Sequence, residues 1–538
     1  MRQPAPAWSG FSIRRLVLSG LLAVPLIVGT MAVTLPRFRV DKPGAVAILC
    51  LLLALALGGR ALWRRPAGQS RALIWGLAGA ALLALPFAVI ARGFGRVDML
   101  SMLFHVEFGM QGAGLGGLDS EILKVSVALI LVVLALVLLS NLWQVRRGLL
   151  GLAILGLLVG NPIVSAAAQR LVFPPPEADL VAEFRLLDRL VSPTPLPDIA
   201  LIYLEGTDRR FSDAQAYPGA YDPLRMLEPD ALTFVNVGQI IGTGWSLAGM
   251  VASQCGVPLL PRGLIGLNNF GVVERFLPRL TCLTDVLGER GYAMDYIVGA
   301  DEGFAGIDTF YRTHGVAEPL GLAGFRRLHA PDVIEAALVG WVLDDQLTFD
   351  TARLRLAGLL HAPAPFLQIV ETIGPHGVNG YLSRRCTRSG RAEQSTDIVA
   401  TARCTLEDTL AYITDLRRAH VEAARGRPLR IIVLSDHLNH SPFPLAVRPE
   451  LALANTVMLI GETGSGRVID TTGSMIDVYP TILEWLGFTA PGTSAGLGRS
   501  LLTASEPSLV ARWGVATLDA MISGDAALSA FLWAETTE

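Results

Sequence analysis

The stretch IALIYLE, residues 199–205, is a run of six apolar or aromatic residues closed by a carboxylate. It reads as a β-strand, and four similar runs follow it: AMDYIVGA (293–300), FLQIVE (366–371), RIIVLSD (430–436) and TVMLIGE (456–462). Amphipathic stretches at 274–290, 331–343 and 398–420 read as helices between them. This alternation predicts an α/β domain with a largely parallel central sheet. In such sheets functional groups gather beyond the carboxyl ends of the strands. Glu205 closes the first strand, Asp436 and His437 close the fourth, and His376 follows the third in a Gly-rich loop. Two carboxylates and an imidazole at strand ends suit a divalent cation with mixed oxygen and nitrogen ligands.

A second stretch, GTGWSLAGMVASQCG (242–256), sets Thr243 between two glycines ahead of a small-residue helix. A helix N-terminus presents N–H groups and a dipole that favour an anion such as phosphate. A threonine hydroxyl there can become a nucleophile through direct metal coordination. The same residue, taken alone, fits an ordinary helix cap. GETGSGR (461–467) lacks the Gly-Lys-Ser/Thr of a P-loop and reads as a hairpin turn. His105, His314, His329, His361 and His420 show no ligand-like spacing and read as structural or exposed.

The 538-residue chain is 51% hydrophobic and only 17% charged, too apolar for an ordinary soluble enzyme, and the excess lies in the first third. Its net charge of -3 gives no indication of a nucleic-acid partner. Five apolar runs, at 14–34, 44–63, 72–92, 121–143 and 149–170, approach the roughly 20 residues that cross a bilayer. Arg2, Arg14 and Arg15, then Arg64, Arg65 and Arg71, then Arg146 and Arg147 all fall on one side of such a bundle, the cytoplasmic side. Five spans then deliver the remaining chain to the outer face. The expected organisation is a five-helix transmembrane unit over 1–172, a Pro-capped linker helix over 173–197 and a periplasmic domain over 198–538. The loop with His105 and Glu107 reads as an interfacial segment on the outer face. Cys50 falls within a span; Cys255, Cys282, Cys386 and Cys404 form an even set in a disulfide-permissive compartment. Proximity favours Cys255–Cys282 and Cys386–Cys404, although four cysteines allow three pairings.

IYLEG, TGWS, SDH and IDVYPTILEWLG together resemble the alkaline phosphatase/sulfatase superfamily. The Cys/Ser-x-Pro-x-Arg pattern of hydrolytic sulfatases is absent. Thr243-Gly-Trp-Ser246 is similar to the Thr-x-x-Ser of membrane phosphoethanolamine transferases and lipoteichoic acid synthases. GTGWSLAGMVASQCGVPL, RLTCLTDVLGERGY, GADEGFAG, GYLSRRC, SDHL and GLGRSLL resemble, in order, the phosphoglycerol transferase I family, with Ser246 in place of a second threonine. Around His376 the chain reads Gly374-Pro375-His376-Gly377-Val378-Asn379-Gly380, where that family has Asp-Thr-His-His-Pro-Asp-Gly.

The resemblance implies a bacterial inner-membrane transferase. Thr243 would attack phosphatidylglycerol in the lipid bilayer, releasing diacylglycerol, and a periplasmic glucan would accept the phosphoglycerol. Carried over by position, Glu205, Thr243, Asp436 and His437 would hold one divalent ion, Mn2+ or Zn2+, and His376 would contact or protonate the transferring phosphoryl group. Two other readings remain at this stage: a phosphoethanolamine transferase acting on a lipid or glycan, and a non-catalytic membrane-anchored binding protein of phosphatase-like fold.

Overall fold

The computed structural model describes residues 71–94, 119–143, 146–161, 179–187, 189–261, 273–376, 380–440, 454–461, 463–503 and 505–534. The chain divides into two compact units, one ending at Gly93 and resuming over Gly117–Pro174, the other comprising Phe94–Gly116 and Pro175–Glu538. In the first unit the described helices are α1 (Arg71–Phe94), α2 (Asp119–Trp143) and α3 (Arg146–Val159). Leu77, Val137 and Leu150 form a small buried cluster among them. Among the described residues no single helix is long and apolar enough to cross a membrane; the apolar helical stretches are Trp75–Val89 and Ile122–Leu134. The expected spans at 14–34 and 44–63, Cys50, and the loop of His105 and Glu107 lie outside the described residues.

The second unit is built on a seven-stranded sheet. Its strands are β1 (Asp198–Leu204), β2 (Ala231–Phe234), β3 (Ala293–Val298), β4 (Phe366–Glu371), β5 (Leu429–Ser435), β6 (Val457–Ile460) and β7 (Arg467–Ile469). They lie in the order β7-β2-β6-β5-β1-β4-β3. β1 pairs in parallel with both β5 and β4, and β3 with β4, whereas β6 runs antiparallel to its neighbours β5 and β2. The expected mainly parallel sheet is present, with β6 reversed within it.

The unbroken apolar character of β1 follows from its position. All seven of its residues are buried. Ile199, Leu201 and Tyr203 pack into one core, and Ala200, Ile202 and Leu204 into the other. A central strand covered on both faces has no polar side to show, so its sequence does not alternate. The first core includes α4 (Ser246–Cys255) and α7 (Met475–Leu486); the second includes α5 (Asp345–His361) and α6 (Ile398–Glu422).

Four expectations need correction. Among the described residues of the linker expected to be helical over 173–197, helix is one turn, Leu180–Glu183, capped by Asp179. Beyond it Pro193, Pro195 and Pro197 forbid helix, and the chain is strapped to the domain: Arg185 bridges Gly496, and Glu183 takes Arg499 and Arg512. The helix expected over 274–290 occupies only Leu283–Gly288, because Asp285 caps the Cys282 N–H and fixes the start there. The helix expected over 331–343 stops at Ala337, and a hairpin of Leu338–Val339 with Val342–Leu343 follows, turned at Gly340 with φ +63°. GETGSGR does not join paired strands, since β2 lies between β6 and β7.

The cysteines pair as Cys255–Cys282 and Cys386–Cys404. The first ties the C-terminal end of α4 to the start of the next helix.

Candidate active site at the carboxyl edge of the sheet

β1 and β5 are parallel neighbours with Leu204 opposite Ser435, so Glu205 and Asp436, the next residue of each, emerge side by side. Glu205, Asp436 and His437 are all buried, and one ligand atom from each falls within 4.8 Å of the others. His437 Nε2 lies 3.4 Å from Glu205 Oε1 and 3.3 Å from Asp436 Oδ2. Its Nδ1 is 2.9 Å from the Leu438 carbonyl oxygen, which holds the proton on Nδ1 and leaves the Nε2 lone pair facing the two carboxylates. Asp436 Oδ1 accepts from the Gly206 and His437 N–H groups, while Asp436 Oδ2 is buried without a hydrogen-bond partner. An orphaned carboxylate oxygen beside a second carboxylate and an imidazole lone pair is an oxygen-rich site short of positive charge. These residues fit a divalent ion, and the donor set matches zinc or manganese.

Thr243, expected as a fourth ligand, uses its hydroxyl within its own turn. Its hydroxyl is fully buried, donates to the Ile240 carbonyl at 2.7 Å and accepts from the Ile240 N–H at 3.1 Å. Both bonds close its own turn. The helix begins one step later, with Trp245 as N-cap and Ser246 as its first residue. Ser246 Oγ stands 3.5 Å from Glu205 Oε2 and lines the cleft beside the carboxylates. Ser246 thus presents a hydroxyl to the cluster, three residues after Thr243. What brings it there is Gly249, one turn along α4. A Cβ at that position would sit 1.8 Å from the Asp436 carbonyl oxygen, so only glycine lets the helix lie against the β5 loop.

The cleft is completed by groups from other elements. His376 lines it, with its ring 5.7 Å from Trp341 and 6.4 Å from Tyr381. Trp341, from the Gly340 turn, and Phe304 form an aromatic wall, 5.8 Å apart. Asp301 and Glu371 add carboxylates. Sequence reasoning missed Trp341 by placing it in a helix; the signal was Val-Gly-Trp-Val, β-branched residues flanking a two-residue Gly turn. His440 stacks toward the His437 ring at 4.5 Å.

Carboxylate crowding sets the electrostatics. Burial, then the charges of Asp436, Glu371 and Asp345, hold the Glu205 carboxyl well above its ordinary range. Burial pushes Glu371 up to about 8; a hydrogen bond from Tyr296 opposes this and Asp436 adds to it. Burial likewise lifts Asp345 to about 7, against hydrogen bonds from Thr405, Ile373 and Gly374. The protein holds protons at this edge that a bound cation would displace.

A second group with ligand-like proximity is Cys282, Asp285 and His314. There Cys282 is consumed by its disulfide, and buried His314 is bonded to Asp285 through Nδ1 and to the Phe276 carbonyl through Nε2. His314 is thus structural, as expected.

A sulfatase family model matches residues 244–488. Phosphoglycerol transferase I of Xanthomonas campestris pv. campestris is 28% identical over 484 residues, which are 86% of this chain and 65% of that protein. The Escherichia coli protein of the same name is 28% identical over 330 residues, 59% of this chain and 40% of that one. The chain thus matches just under two thirds of the Xanthomonas relative's length. Among solved structures, the lipoteichoic acid synthase LtaP from Listeria monocytogenes shares 14% identity, covering 57% of this chain and 76% of that one with a TM-score of 0.42. The second unit is a sulfatase-like α/β domain, in a chain similar over most of its length to phosphoglycerol transferase I.

Proposed function

We propose that the protein is a metal-dependent, membrane-anchored transferase. It moves phosphoglycerol from phosphatidylglycerol to a periplasmic glucan through a covalent phospho-serine intermediate on Ser246. The observation that carries this reading is the approach of Ser246, at the start of α4, to the Glu205/Asp436/His437 cluster. Similarity to phosphoglycerol transferase I supports the choice of cargo.

Glu205, Asp436 and His437 would hold one ion, Mn2+ or Zn2+, which when bound supplies Lewis-acid screening of charge on the phosphoryl oxygens. Ser246 Oγ attacks phosphorus, and Glu205 Oε2, 3.5 Å away, is placed to accept its proton. The bond from phosphorus to the diacylglycerol oxygen breaks, and diacylglycerol leaves with a proton for which His376, which lines the cleft, is the proposed donor. N–H groups in the first turn of α4 face the phosphoryl oxygens. A glucan hydroxyl then attacks phosphorus, giving its proton to His376, while the bond from phosphorus to Ser246 Oγ breaks and Ser246 takes back its proton from Glu205. Thr243, assigned from sequence as nucleophile and ligand, keeps a structural role in holding the turn before the helix.

The membrane reading covers residues 1–172 as an anchor with the catalytic domain on the periplasmic face of the inner membrane. It is supported by large apolar side chains left exposed in the first unit: Trp75 at 75%, Leu82 at 70% and Leu152 at 68%. A second donor has its own support. Trp341 and Phe304 beside Asp301 and Glu371 form an aromatic, acidic wall of the kind that receives an ammonium group, as in phosphatidylethanolamine. One assay decides. Full-length protein is incubated with labelled phosphatidylglycerol and, separately, phosphatidylethanolamine. Diacylglycerol from the first supports the proposal; diacylglycerol from the second alone replaces the cargo with phosphoethanolamine.

A further inference from the structure

The sheet carries a second cleft, at the other end of its strands. It has a volume of about 290 Å³, at the small end for ligand pockets. Arg430 is the second residue of β5, whereas Asp436 follows the last. At about 3.3 Å per residue the two ends stand about 20 Å apart. Nothing in the proposed reaction uses this cleft.

Its chemistry is distinctive. The walls include Arg430, Arg467, Trp485 and Ser465 over a floor of Leu232 and Leu459. The Arg430 guanidinium lies 5.6 Å from the centre of the Trp485 ring. A Cβ at Gly461 would stand 3.6 Å from both Arg430 Nη1 and Trp485 Cζ2, so cation and indole share one wall at the same height. Neither Arg430 nor Arg467 has a carboxylate partner among the described residues. Asp230, which anchors the loop between β6 and β7, is already engaged: its carboxylate takes Arg417 and the Gly464 N–H, each at 2.9 Å. That loop is pinned further by Gly461 N–H to the Asp230 carbonyl and Gly466 N–H to the Pro229 carbonyl. The loop beside the cleft is therefore pinned by backbone bonds, and the cleft carries two cations with no carboxylate partner among the described residues.

Two guanidiniums present planar donor forks that match phosphate oxygens better than a point charge does. The indole and the leucine floor suit the carbon body to which such a phosphate is attached. We propose that this cleft is a binding site for a phosphate group borne on a polar carbon skeleton, separate from the reaction centre. A phosphorylated sugar and a phosphodiester lipid headgroup share that chemistry.

The test uses the full chain in phosphatidylcholine nanodiscs, with Ser246→Ala in every sample so that no probe is turned over. Calorimetric titrations use glucose 6-phosphate in one arm and water-soluble dihexanoyl phosphatidylglycerol in the other, with glucose and glycerol as phosphate-free controls. The cleft variant is Arg467→Glu, on an exposed edge-strand residue, with Arg430→Gln as a second. The expected result is a binding component that weakens about tenfold or more in both cleft variants and is absent for the phosphate-free controls. Loss in the sugar-phosphate arm assigns a soluble ligand, and loss in the lipid arm alone assigns a headgroup. Isotherms unchanged by either variant in both arms, with thermal melting also unchanged, overturn the proposal. In the otherwise wild-type chain, Arg467→Glu is expected to leave diacylglycerol release unaltered, because the cleft stands apart from Ser246.

Discussion

Gly249→Ala is the substitution that most sharply separates site geometry from stability. The added Cβ would meet the Asp436 carbonyl oxygen at 1.8 Å and its carbon at 2.7 Å. Carbon–oxygen contacts settle near 3.3 Å, so α4 and the Asp436 loop must part by about 1.5 Å. Both partners are backbone, and no side chain can swing aside. Overpacking of this kind costs about 1–3 kcal/mol, which a domain with about 5–15 kcal/mol of stability survives. The reaction is less forgiving. Displacing Ser246 from Glu205 by about 1 Å is expected to slow transfer about 100-fold. Gly358→Ala in α5 is the control: a Cβ there meets nothing within 4 Å, and the helix gains up to about 1 kcal/mol. Initial rates of diacylglycerol release at saturating metal, alongside thermal melts, measure both quantities. A folded Gly249→Ala protein turning over at the wild-type rate would refute the claim that this contact sets the site.

Three further outcomes follow from the same geometry. Thr243→Val removes both hydrogen bonds to Ile240 and should destabilise the domain by about 1–3 kcal/mol, while the folded protein keeps its transfer activity; chemical denaturation and rate assays read the two effects. Replacing Cys255 and Cys282 together by alanine opens a loop of 27 residues and should cost about 3–4 kcal/mol in denaturant unfolding, without abolishing catalysis in the cold. Glu371 binds its proton more tightly folded than unfolded, with a pKa of about 8 against 4.5. Its contribution to stability is therefore complete below about pH 4.5 and is lost as pH rises through about 8, at up to about 1.4 kcal/mol per unit. Glu371→Gln should flatten that fall in urea titrations of the metal-free protein across the same range.

Much of this architecture could be read from residue order. β1 and β5 were legible because strands buried on both faces leave continuous apolar runs, β3 and β4 because a single polar residue, Asp295 or Gln368, interrupts an otherwise apolar core, and the carboxyl ends of β1 and β5 marked Glu205, Asp436 and His437. Strand direction was not legible: β6 has the same composition whether it runs with β5 or against it, and its reversal is set by tertiary pairing. Trp341 was hidden because an amphipathic pattern tolerates a Gly-Trp pair, whereas the positive φ of Gly340 demands a turn. Sequence reading put Thr243, not Ser246, at the start of the helix. Composition favoured the glycine-flanked threonine as the cap. In the structure Trp245 is the cap and Thr243 spends its hydroxyl on Ile240, a local bond that residue spacing does not reveal.

The central claim is that Ser246 carries the transferred group. Full-length protein is mixed with phosphatidylglycerol in the absence of acceptor, quenched in acid and digested, and the peptide spanning 242–256 is sequenced by mass spectrometry. A phosphoglycerol adduct on Ser246, lost in Ser246→Ala and retained in Thr243→Val, is the predicted result. An adduct on Thr243, or one that persists in Ser246→Ala, would contradict it.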